Sequence, residues 1–220
     1  MTRLSCSLQS LISPSRMVPA VLVPVLMCFL FHSLTAAADS SGQNPDSVVQ
    51  KPARTEQDVR ECRVKISYFL HHQPRMASNQ FAIWIEDMDG NYVATVFATR
   101  YTAQGGYRNR PLSLPRWRAV SSWDRVSSSR VDAVSGATPL SGKHKAVWDC
   151  KDARGEPVAP GKYIYRMEGN IFWENMVIWT GEIEIGDKPD QSRAEPEYIP
   201  ERAHRKGIML EEVKASFKPR

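Results

Sequence analysis

Along residues 62–70 (CRVKISYFL) apolar and polar side chains alternate, the period of a strand with one buried face. The same period returns at 81–85 (FAIWI), 92–99 (YVATVFAT), 143–149 (KHKAVWD), 162–168 (KYIYRME) and 176–185 (MVIWTGEIEI). Between the second and third of these runs, Asp87-Met-Asp-Gly90-Asn91 is turn chemistry with a glycine where a positive φ is expected, which predicts a hairpin. Residues 152–161 (DARGEPVAPG) are turn-forming throughout. Six or seven short strands over roughly 125 residues, with turn signals between them, predict an all-β fold, an antiparallel sandwich.

The alternation fails in two places. Residues 101–130 are broken by Gly105, Gly106, Pro111 and Pro115, so the sequence predicts a long loop insertion with a short helix over 114–123. Within it, Trp117 and Trp123 sit among Arg108, Arg110, Arg116, Arg118, Arg125 and Arg130. The expectation is that the tryptophans pack over one end of the sandwich while most arginines face water. The competing reading is a site for an anionic or aromatic ligand. Directly after comes 131–142 (VDAVSGATPLSG), whose two glycines, proline and three hydroxyl residues exclude the middle of a helix or a central strand. Beyond Gly186 the chain becomes highly charged around Pro189, Pro196 and Pro200. There the spacing of Ile208, Leu210, Val213 and Phe217 predicts a short amphipathic helix within 201–217, marginal on its own. The predicted domain therefore spans 62–186, followed by a charged tail over 187–220.

The N-terminus changes the picture by adding a destination. Arg3 and Arg16 precede an apolar run over 17–34, and Ala36-Ala37-Ala38 offers a small-x-small cleavage site. Residues 1–38 are thus predicted to be a signal peptide cut after Ala38. Pro19, Pro24 and the shortness of the run argue against a membrane span, and an uncleaved anchor is the alternative to cleavage. Residues 39–61, rich in Ser, Gln, Asp and Pro, read as a flexible leader. Cleavage would leave Cys62 and Cys150 in an oxidising compartment, where a disulfide and two buried free thiols both remain open from sequence.

Candidate chemistry is sparse. The net charge of +5 comes from interspersed acidic and basic residues, a solvated surface carrying no nucleic-acid-binding motif. There is no CxxC, and His71, His72 and His144 lack companion ligands at useful spacing. Glu86, Asp87 and Asp89 bracket a glycine but lack the distal Glu of a calcium loop, so a solvated turn is expected. Asp149 and Asp152 are assigned to turn capping rather than to acid–base work. Ser135 lacks the first glycine of a nucleophile elbow. No catalytic residue is assigned.

Two resemblances add to this. The segment Trp148-Asp-Cys150-Lys-Asp152-Ala-Arg-Gly155-Glu-Pro-Val-Ala-Pro-Gly161-Lys-Tyr163 is similar to the W-D-G-x-D-x-x-G-x-x-V-x-x-G-x-Y hairpin of immunoglobulin-like domains related to the flagellar hook-capping protein, with Cys150 at the usual glycine. Together with Trp84-x-Glu86-Asp-x-Asp-Gly90, the Ser-Gly-Ala-Thr-Pro segment and Trp179-x-Gly181, residues 62–186 resemble the DUF2271 family of predicted periplasmic proteins. That resemblance implies an exported immunoglobulin-like sandwich without established activity, acting as an accessory or interaction module with a periplasmic protein partner.

The second is Asp132-Ala-Val-Ser135-Gly136-Ala137-Thr138, similar to the D-x-x-[ST]-G-A-[ST] motif at which FMN is attached in bacterial respiratory complexes. It implies Thr138 as acceptor of a covalent FMN phosphoester. Asp132 and Ser135 would be recognition residues, and Gly136 and Ala137 would permit close approach. Arg125 or Arg130 would lie near the phosphate, and a flavin transferase and membrane redox proteins would be partners. The alternative is a structural loop in which Asp132 and Ser135 bond their own backbone.

Overall fold

The computed structural model describes residues 62–219. Its strands are β1 (Val64–Leu70), β2 (Gln80–Glu86), β3 (Tyr92–Thr99), β4 (Ser135–Gly136), β5 (Gly142–Trp148), β6 (Gly161–Phe172), β7 (Asn175–Ile185), β8 (Asp190–Arg193), β9 (Glu195–Ile199) and β10 (Leu210–Phe217). They form two sheets, ordered β5-β1-β10-β8 and β4-β3-β2-β6-β7-β9, antiparallel except for the parallel β3–β4 pair.

The alternating positions fill the space between the sheets. Val64, Ile66, Tyr68 and Leu70 of β1 face Phe81, Ile83 and Ile85 of β2 and Tyr163, Tyr165 and Met167 of β6 in one buried cluster. The alternate residues of β2 are buried as well, because the insertion packs on the outer face of the six-stranded sheet. There Ala82 and Trp84 meet Ala98, Leu114, Trp117 and Trp123 in a second cluster. β2 is therefore buried on both faces.

The insertion is more ordered than the loop its sequence predicts. It holds α1 (Arg100–Ala103), α2 (Pro115–Ser121) and α3 (Ser128–Val134) with 3-10 turns at Gly106–Arg108 and Trp123–Arg125. All three are too short to show a period of 3.6, and only α2, which opens on Pro115, falls where the sequence places a helix. Trp117 and Trp123 are core, with ring centroids 4.4 Å apart, but they cover a sheet face rather than an end.

The predicted C-terminal helix is a strand. β10 lies between β1 and β8 at the centre of its sheet, and the fold continues through β8 and β9 rather than ending at 186. The reason is a β-bulge. The register with β1 shifts between Ser67 and Phe69, so that Glu212 and Val213 lie opposite Tyr68, and Glu212 has φ +52°. The extra residue turns a period of 2 into the i, i+3, i+7 spacing of Leu210, Val213 and Phe217.

β5 and β6 belong to different sheets, and the chain between them turns at 149–160 around the isolated bridge Lys151–Pro157. Asp152 Oδ1 accepts the N–H groups of Arg154 and Glu156, and Gly155 has φ +86°. Trp148 and Tyr163 pack edge to face at 5.2 Å. Cys150 has φ +57° and is bonded to Cys62, whose Cα lies 5.6 Å away.

Candidate functional site

The segment 127–141 links the insertion to β5 along the edge of the six-stranded sheet. The backbone N–H of Val131 donates to the Ser127 carbonyl, opening α3, and Val131 and Val134 pack against the second cluster. The helix ends at Ser135, which turns extended (φ −91°, ψ 137°), and Ser135 and Gly136 then pair with Ala98 and Thr99 of β3. The first four residues of 131–142 are thus helical, and the glycine–proline portion alone is extended chain. Gly136 is fixed by packing: a Cβ there would stand 2.6 Å from Phe97 Cε2, and Phe97 stacks on Phe81 with centroids 5.1 Å apart.

Three polar side chains of this segment are not spent on the fold. Asp132 and Ala137 are exposed, Ser135 and Thr138 are half-buried, and the carboxylate of Asp132 and the hydroxyls of Ser135 and Thr138 form no hydrogen bond among the described residues. The self-bonded loop is therefore absent. Arg130 is committed elsewhere, its Nη1 donating to the Ala153 carbonyl, while Arg125 is exposed at the end of its 3-10 turn. Past Pro139, Leu140 projects into solvent, and Ser141 Oγ accepts the N–H of His72 at 2.9 Å. The structure thus brings all five motif residues onto one edge as a continuous strip.

The remaining acidic candidates are structural. Asp87 Oδ1 accepts from the N–H groups of Asp89 and Asn91, and its Oδ2 from Asn91 Nδ2, which together hold its carboxyl below the usual carboxylate range. Glu86 points away from that turn and is buried, accepting from Trp84 Nε1 at 2.8 Å and Arg166 Nε at 2.7 Å.

Sequence reasoning missed Glu168. Its carboxylate is fully buried under α2 and accepts the N–H groups of Trp117 (2.7 Å) and Arg116 (3.3 Å). Burial raises its pKa to about 7 although those two donors pull the other way. Asn170 beside it accepts the Leu114 N–H and donates to the Leu112 carbonyl. The two residues stitch the insertion to β6. The available signal was an acid at the end of an alternating strand whose neighbours are apolar. Sequence also gave no hint of a groove of about 410 Å³ where the β8–β9 crossover passes β10, lined in part by Trp179, Arg193, Glu195 and Lys214. Among the described residues, the Trp179 indole N–H meets no acceptor.

Comparison with known proteins adds one match. The model of a family described as predicted periplasmic protein (DUF2271) matches residues 61–199. No curated protein and no solved structure matches. Among the described residues, no helix is long and apolar enough to cross a membrane.

Proposed function

Since the chain belongs to the DUF2271 family of predicted periplasmic proteins, we propose that it serves as an exported, non-catalytic interaction module that presents residues 132–138 to a periplasmic protein partner. The observation that carries this is the unspent polarity of that strip. Asp132, Ser135 and Thr138 have no partner within the described fold, whereas buried Thr95, Thr99, Thr102 and Asn170 all do. A rigid sandwich with polar groups left open along one edge suits recognition. The reading also takes the 148–163 turn as the immunoglobulin-like hairpin it resembles. A photo-crosslinker replacing Ala137 should give a discrete adduct in the cell envelope, and one replacing Lys188 should not. Equal labelling from both positions would remove the strip from the interface.

The same strip favours a second reading, a covalent FMN carrier of an extracytoplasmic electron-transfer chain. Thr138 Oγ1 is free to form a phosphoester, Ala137 beside it is small and exposed, and Asp132 is open to a flavin transferase. The transferase and membrane redox proteins would then be the partners. Protein isolated from cells containing a flavin transferase should gain a flavin-sized mass on the Thr138 peptide, absent in Thr138→Ala. An unmodified mass from those cells would eliminate the carrier and leave the interaction module standing.

A further inference from the structure

The surface of the sandwich is polarised end to end. Six of the eight exposed large apolar side chains among the described residues are Met76, Tyr101, Leu112, Leu140, Trp173 and Ile208, each on a loop or short helix at the end where β6 turns into β7. Their backbones are tied together. Asn170 Nδ2 donates to the carbonyls of both Leu112 and Trp173, and Ser78 Oγ to that of Ile171. Gln73 Nε2 donates to the Ile208 carbonyl, Arg75 Nη1 to that of Lys206, and the His72 N–H to Ser141 beside Leu140. The Arg110 guanidinium stacks over the Tyr101 ring at 4.7 Å, and that of Arg75 over Phe172 at 5.6 Å.

Charge follows the same axis. The loops 71–79, 104–114, 172–175 and 200–209 carry six cations, Arg75, Arg108, Arg110, Arg202, Arg205 and Lys206, against only Glu174 and Glu201. At the opposite end the loops 87–91, 149–160 and 186–189 carry six carboxylates against three cations. Charges that look interspersed along the chain are therefore sorted in space.

We propose that the β6–β7 end is a docking tip for an anionic phospholipid surface, with Trp173 and its apolar neighbours entering the interfacial layer and the surrounding cations meeting lipid phosphates. Charge complementarity selects that occupant. Separate loop tips carrying Trp, Leu, Met and Ile within a basic rim match the amphipathic character of a bilayer interface, where indole is favoured and each nearby cation adds attraction. The acidic far end would turn the tip toward a negative surface before contact. Trp173 is set for this. It is 48 % exposed, its φ of +48° holds it at the hairpin apex, and Asn170 and Asn175 bond the carbonyls of Trp173 and Phe172. The inference concerns where the protein sits and stands apart from the reading of residues 132–138.

Trp173 also supplies the test. Trp84, Trp117, Trp123 and Trp148 are buried, Trp179 is half-buried, and the apolar run 17–34 contains no tryptophan. Quenching of the full chain's emission by lipids brominated along their acyl chains therefore reads the tip. With phosphatidylglycerol vesicles the emission should be quenched and shifted to the blue. Trp173→Phe should abolish that change. Arg202→Glu with Arg205→Glu, both exposed, should raise the lipid concentration for half-effect at least about tenfold, as should raised salt. Lys188→Glu at the far end should change nothing. No quenching on phosphatidylglycerol, which would leave this end for a protein partner, overturns the proposal. So does equal quenching on phosphatidylcholine, or a response that survives in Trp173→Phe.

Discussion

Glu168 is where a single residue sets the behaviour of the fold. A carboxyl raised from 4.5 to about 7 in the folded state is bound more tightly by its proton there than in the unfolded chain. Its contribution to stability is therefore fully present below pH 4.5 and is lost as pH rises through 7. A shift of that size corresponds to about 3 kcal/mol between the two limits. Urea unfolding from pH 4.5 to 8 should show wild type losing stability relative to Glu168→Gln by roughly that amount, with the variant's profile flatter. Parallel profiles would mean that the two backbone donors outweigh burial. The roles of Asp87, Asp152 and Gly155 were legible in sequence because each acts on residues within four positions of itself. That of Glu168 was not, since its partners on α2 lie about fifty residues away.

At the scale of elements, the sequence showed the strands whose alternation is unbroken and lost those where it is interrupted. β1, β2, β3, β5, β6 and β7 fall within a few residues of the predicted runs. α1 and α3 escape because packing of Ala103, Val131 and Val134 into the second cluster, not periodicity, holds them. β10 escapes because one inserted residue imitates a helical stripe. The two assignments differ in what glycine would do at Glu212. In an exposed helix interior Glu212→Gly costs about 1 kcal/mol. At a left-handed bulge position it relieves the Cβ strain and should stabilise by about 0.5–1 kcal/mol, since the Glu212–Lys214 pair it removes is a surface contact of little worth. Urea midpoints of the two proteins decide this, and a lower midpoint for the variant would contradict the bulge.

Over the whole molecule, the architecture depends on pairings between distant segments, and the cross-link joins two of them. Cys62 precedes β1 and Cys150 follows β5, adjacent strands of the four-stranded sheet, and the loop they close spans 88 residues, including the entire insertion and the 132–138 strip. Sequence could place both thiols in an oxidising compartment, but not within reach of each other, because that proximity is made by the Val64–Trp148 pairing. By loop entropy alone, closing 88 residues contributes roughly 4–5 kcal/mol, a large part of the total for a domain of this size. Reduction should therefore lower the melting temperature by about 10–20 °C. The cysteine's backbone adds a second test. Cys150 holds a left-handed φ of +57°, so in a Cys62→Ser background Cys150→Gly should exceed Cys150→Ala in stability by about 1 kcal/mol. Equal stabilities would mean that the backbone relaxes once the bond is gone, and that the disulfide, rather than the turn, imposes the conformation at 150.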